Sequence, residues 1–130
     1  NYSMEECSSL ARKLAKSVAE DFGVCTFLYG YAATKPERKL LSSLRRGEYE
    51  GLQARLSDSD ELHTEATKKP DFGPEEWTDS VRKTGGITIG SRDILVAYNV
   101  NVDETDATVA KKIGSIISGS VRMIKNPSGK

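Results

Sequence analysis

The chain has 130 residues, enough for one ordinary domain and too few for two substantial cores. Nineteen Lys and Arg balance nineteen Asp and Glu, so no basic excess recruits nucleic acid or an anionic membrane. The hydrophobic fraction is 37%, and no apolar run approaches the roughly 18–20 residues that span a bilayer.

Ser3-Met4-Glu5-Glu6 matches a capping box and predicts a helix over 4–22. Cys7, Leu10, Ala11, Leu14, Ala15, Val18 and Phe22 recur at helical spacing as its apolar stripe, and Gly23 offers a left-handed stop. Val24 to Tyr29, β-branched and aromatic between Gly23 and Gly30, predicts a strand buried on both faces. Thr34-Lys35-Pro36-Glu37 reads as a second capping box ahead of a short helix carrying Leu40, Leu41 and Leu44. Another short helix is expected over 48–56, with Tyr49, Leu52 and Leu56 on one face.

Between Ser57 and Gly85 the periodicity disappears. The acidic first part, 57–69, predicts a mobile segment, whereas the part from Pro70 carries Phe72 and Trp77, which a merely solvated loop has no reason to hold. Ile87 to Ile89 predicts a short strand. Asp93 to Val102 alternates well enough to be a strand inside the sheet, with Arg92 and Asn99 near its ends. Asp103 is the expected N-cap of a last helix bearing Val109, Ile113, Ile116 and Ile117. Residues 1–121 then form the domain, and the basic stretch 122–130 is expected to fray.

This order predicts an α/β fold, an α+β sandwich with helices on one face of a small mixed sheet. Three short strands leave at least one sheet edge exposed unless another segment or chain covers it.

Local chemistry is sparse. Gly85-Gly86-Ile87-Thr88-Ile89-Gly90-Ser91-Arg92 has the glycine separation of a phosphate-binding loop but lacks its Lys, and it leads into a strand. His63, the single histidine, sits in the acidic stretch with no nucleophile or partner in view and reads as an exposed loop residue. Arg45 to Glu50 reads as a solvated helix end with local ion pairs. Arg92 at a strand entrance is a candidate carboxylate holder. Cys7 and Cys25 have no CxxC spacing or neighbouring His, no cluster has metal-ligand spacing, and two buried thiols fit the cytoplasm or an organelle matrix. The chain opens at Asn1 with neither an initiator Met nor a secretory signal, which reads as a fragment or processed chain.

Four stretches in order carry a more specific signal: Phe27 to Ala33 (FLYGYAA), Leu44 to Leu52 (LRRGEYEGL), Pro70 to Pro74 (PDFGP) and Gly90 to Asn101 (GSRDILVAYNVN). Together they resemble the N-terminal subdomain of glutamate formiminotransferase, the transferase part of formiminotransferase-cyclodeaminase. The likeness runs from Ser3 to Ser118 and matches that subdomain's second half. It implies a ferredoxin-like fold and transfer of a formimino group from N-formimino-glutamate to tetrahydrofolate, in histidine degradation and one-carbon metabolism. The folate-contacting segment falls on Gly73 to Gly85. Gly73, Pro74, Trp77, Gly85 and Gly86 are therefore the expected folate-binding residues, with Arg92 and Asn99 candidates for substrate. The family's catalytic His lies upstream of anything corresponding to Ser3, and His63 does not match it. The expected partners are folate, formimino-glutamate and the missing half-subdomain or a companion chain completing the sheet, with no nucleic acid, membrane or metal. The alternative is a non-catalytic structural or interaction module derived from this domain.

Overall fold

The computed structural model describes residues 2–57, 59–96, 103 and 106–117. The chain divides into a larger unit, Asn1–Ile94, and a smaller one, Leu95–Lys130. The larger unit is of the expected α/β class. It contains helix α1 (Met4–Phe22), strand β1 (Cys25–Gly30) and a 3-10 turn (Pro36–Arg38). The short helices α2 (Leu41–Leu44), α3 (Leu52–Arg55), α4 (Glu65–Lys68) and α5 (Asp79–Thr84) and strand β2 (Gly86–Ser91) follow.

The capping box forms as the sequence predicts. Glu6 N donates to Ser3 Oγ at 3.2 Å while Ser3 N donates to Glu6 Oε2 at 2.7 Å. These bonds favour the ionised carboxyl and hold Glu6 below its ordinary value. Gly23 ends the helix at φ 61°, its N–H donating to Ala19.

The buried face of α1 differs from the expected stripe. Ser8, Ala11, Ala15 and Ala19 point inward, whereas Leu10 remains 65% exposed and Leu14 is also outside. The reason is close approach: Thr26 Oγ1 donates to Ala15 O at 3.2 Å, a contact with helix backbone that only small side chains permit. Ser8 and Ser91 then join their hydroxyls at 2.7 Å, tying the helix to the end of β2.

β1 and β2 pair in parallel, with Cys25 opposite Gly86 and Gly30 opposite Ser91. Alternation along β1 divides the core. Thr26 and Leu28 face α1 with Ala11, Ala15 and Ala32, while Cys25 and Phe27 face Leu44, Leu52, Leu56 and Val81. The second edge of β1 is covered: Thr26 N donates to Phe72 O at 2.9 Å, Leu28 N to Asp71 Oδ2 at 2.7 Å and Gly30 N to Lys39 O at 3.2 Å. Among the described residues β2 pairs with β1 alone.

Several expectations are corrected. Thr34 does not cap the second helical segment, because its hydroxyl is drawn to Asp71 Oδ1 at 2.6 Å; the N-cap is Lys35, with no side-chain bond. The helix expected over 48–56 shrinks to α3, since residues 45–51 form turns in which Gly47 and Gly51 pack against each other. Within the stretch 57–69, expected to be mobile, residues 66–69 are held by their carbonyls. Arg38 donates to Ala66 O and Lys69 O at 2.6 Å, and Arg55 donates to Lys68 O at 2.8 Å and to Thr67 O. Carbonyls that would otherwise face water are thus satisfied by two buried guanidinium groups.

Of the strand expected over 93–102, residues 93–96 are not strand and Ile94 is 98% exposed, while 97–102, Asn99 included, lie outside the described residues. In the smaller unit, helix α6 (Ala107–Ile117) begins after Asp106 rather than Asp103. Asp106 Oδ1 accepts from Thr108 N at 2.8 Å, which holds its carboxyl below the usual range. The tail 122–130 lies outside the described residues.

Candidate functional site

A cleft in the Asn1–Ile94 unit holds about 520 Å3. This lies within the range of ligand pockets, about 300–1,000 Å3. Phe27, Leu44 and Leu52 form its apolar floor, and Thr84 to Thr88, the turn into β2 and the first half of that strand, form one wall. Arg45, Glu48, Tyr49 and Arg55 complete the lining.

The lining is positioned by identifiable bonds. Tyr49 Oη donates to Arg82 O at 2.6 Å, its ring lies 3.6 Å from where a Cβ on Gly85 would stand, and Trp77 backs it at 6.4 Å between ring centroids. α5, which leads into Gly85, starts from Thr78, whose Oγ1 accepts from Val81 N at 3.2 Å, and it is anchored by fully buried Val81. The Arg55 guanidinium, which also lines the cleft, stacks 3.9 Å from the Phe27 ring centre and donates to Leu44 O at 2.7 Å. Burial, and secondly the charge of Arg38, lowers the Arg55 pKa to about 10, so it remains cationic at neutral pH. Cys25 Sγ donates to Pro74 O at 3.1 Å, and burial pushes its thiol up, which keeps it protonated and unreactive.

The expected folate residues are not all in one place. Gly85 and Gly86 line the cleft, and Trp77 stands behind Tyr49. Pro74 contributes a carbonyl to Cys25, and Gly73 packs on β1, where an added Cβ would lie 2.3 Å from Val24 O. Phe72 goes to the other face of the sheet, with Ala11 and Ala15. Arg92 follows the far end of β2, roughly 20 Å along the strand from Gly86. There it borders an apolar trough with Leu10 and Leu14 rather than the cleft.

His63 is not the exposed residue expected. Its side chain is 1% exposed, Nδ1 lies 2.7 Å from Asp60 Oδ2, and Nε2 has no partner. None of the residues lining the cleft is a histidine or a cysteine. Residues that sequence reasoning passed over are Arg45, Glu48 and Tyr49, which read as a solvated helix end. The available signal was the pair Gly47 and Gly51 around them, four residues apart and in mutual backbone contact.

Residues 1–92 match the family described as formiminotransferase domain, N-terminal subdomain. The chain belongs to this family. It is 38% identical over 126 residues to a glutamate formimidoyltransferase of Thermoplasma acidophilum, covering 95% of this chain and 39% of that protein. A glutamate formimidoyltransferase of Streptococcus pyogenes is 35% identical over 89% of this chain and 36% of its own length. The formimidoyltransferase-cyclodeaminase of Dictyostelium discoideum is 41% identical over 78% of this chain and 17% of its own. The chain thus spans well under half the length of these formiminotransferase relatives. Among the described residues, no helix is long and apolar enough to cross a membrane.

Proposed function

We propose that this chain supplies part of the folate-binding surface of a formiminotransferase-type enzyme, which moves a formimino group from N-formimino-glutamate to tetrahydrofolate. The observation that carries this reading is the cleft itself. Tyr49, packed with Trp77, and the backbone of Gly85 and Gly86 line it together, and a pterin needs both a flat apolar surface and backbone hydrogen bonds. Gly73 and Pro74 act by anchoring the start of this segment on β1, and Arg92 serves a separate polar contact at the other end of β2. The edge of β2 away from β1, which pairs with no other described strand, takes the rest of the subdomain, or a companion chain, as its further strand. Two free thiols suit the cytoplasm or an organelle matrix.

In formimino transfer an amine nitrogen of the folate attacks the amidine carbon and the glutamate nitrogen leaves. A proton must depart from the first nitrogen and reach the second, a task for a group titrating near neutral pH. The cleft holds none, and His63 is engaged with Asp60 outside it. The purified chain should therefore show no turnover with formimino-glutamate and tetrahydrofolate. Turnover that His63→Ala abolishes would overturn this reading and make His63 the proton carrier.

A further inference from the structure

The Arg45–Glu48 ion pair, 2.8 Å long, borders two hollows at once: the main cleft and a smaller groove of about 330 Å3 that also includes Leu41 and Ser42. Among the described residues, Glu48 is the one non-glycine position with a left-handed backbone, at φ 49°. A side chain at such a position is strained, and Glu lacks the short polar group with which Asn or Asp relieves it. The turn is locked into this shape: Gly51 N donates to Gly47 O at 2.7 Å, and Tyr49 is fastened to Arg82. The ion pair does not explain the strain, since both side chains are more than half exposed, at 53% and 59%, and such pairs add little stability. The strained residue lines the cleft, with its carboxylate on Arg45.

We propose that Glu48 is the specificity-determining residue for the pterin ring, its carboxylate accepting from the ring's 2-amino group and adjacent N3–H. These two donors lie parallel and in one plane, the arrangement that makes a guanidinium fork bind a carboxylate through two bonds. In the bound state they take the place of Arg45, which is half in water already and loses little on release. This inference rests on the folate reading above.

Calorimetric titration of the chain with tetrahydrofolate, and with an analogue whose 2-amino group is replaced by methyl, tests it. The chain should prefer tetrahydrofolate by tenfold or more, and Glu48→Gln should weaken tetrahydrofolate binding at least tenfold and erase the preference. Glu48→Gly, which relieves the left-handed strain, should lose the same preference without a lower melting temperature. Equal weakening toward both ligands, or a preference that survives in both variants, would overturn the role of Glu48 while leaving folate binding intact. A chain that binds neither compound would overturn the folate reading itself.

Discussion

Asp71→Ala should remove about 3–5 kcal/mol of stability, a large share of the roughly 5–15 kcal/mol that holds an ordinary domain together. Asp71 and Arg38 are a buried ion pair, with side chains 6% and 3% exposed. The carboxylate does three things at once. It pairs with the Arg38 guanidinium, accepts from Leu28 N at 2.7 Å on the edge of β1, and accepts from the Thr34 hydroxyl at 2.6 Å. Deleting it strands a buried charge and an amide of the central strand, and both lose their solvation without compensation. The damage should spread to residues 66–69, which Arg38 holds by their carbonyls. Urea unfolding measures this directly. In a cycle with Arg38→Met, the double variant should be less destabilised than the sum of the two singles, because the stranded charge is gone. A loss below about 1 kcal/mol in Asp71→Ala would mean that the pair is dispensable.

Gly73→Ala should be the most damaging of the glycine substitutions along the expected folate segment. Gly73 has φ 91°, and an added Cβ would stand 2.3 Å from Val24 O and 3.0 Å from Val24 C. Both obstacles are backbone at the start of β1, so no side chain can swing aside. Left-handed strain alone is worth about 1–3 kcal/mol, and the clash adds to it. The melting temperature should fall by about 8 °C or more for a chain of this size. Gly85→Ala, with φ 69° but only a ring edge 3.6 Å away, should lose less. Equal losses at the two positions would show that Gly73 has room. Any loss of ligand binding in Gly73→Ala would therefore report the fold, and Gly85→Ala is the better probe of the cleft.

Local signals in the sequence identified the elements whose causes are local. The Ser3 and Glu6 cap, the Gly23 stop and the β-branched run ahead of Gly30 each depend on residues within a few positions. The buried face of α1 was not legible, because apolar spacing locates a stripe but not which flank meets the sheet. The contact of Thr26 with the Ala15 carbonyl decided that in favour of alanines. Residues 59–69 looked unstructured for a related reason. The order of residues 66–69 comes from Arg38 and Arg55, which lie 12 to 31 positions earlier in the chain and act on carbonyls, groups that every sequence possesses. Of the residues expected in the folate segment, Gly85 and Gly86 line the cleft. The composition shared by Phe72 and Trp77 misled, because the chain passes the edge of β1 between them and sends them to opposite faces of the sheet.

The cleft lined by Tyr49, Gly85 and Gly86 is proposed to receive a reduced folate. Hydrogen exchange of the chain with and without tetrahydrofolate tests this most directly, because it reports where the ligand lies as well as whether it binds. Slower exchange at the amides of 48–52 and 85–88, with residues 59–69 around His63 unchanged, is the predicted result. Protection confined to the Arg92 end of β2, or no change at either segment lining the cleft, would contradict it.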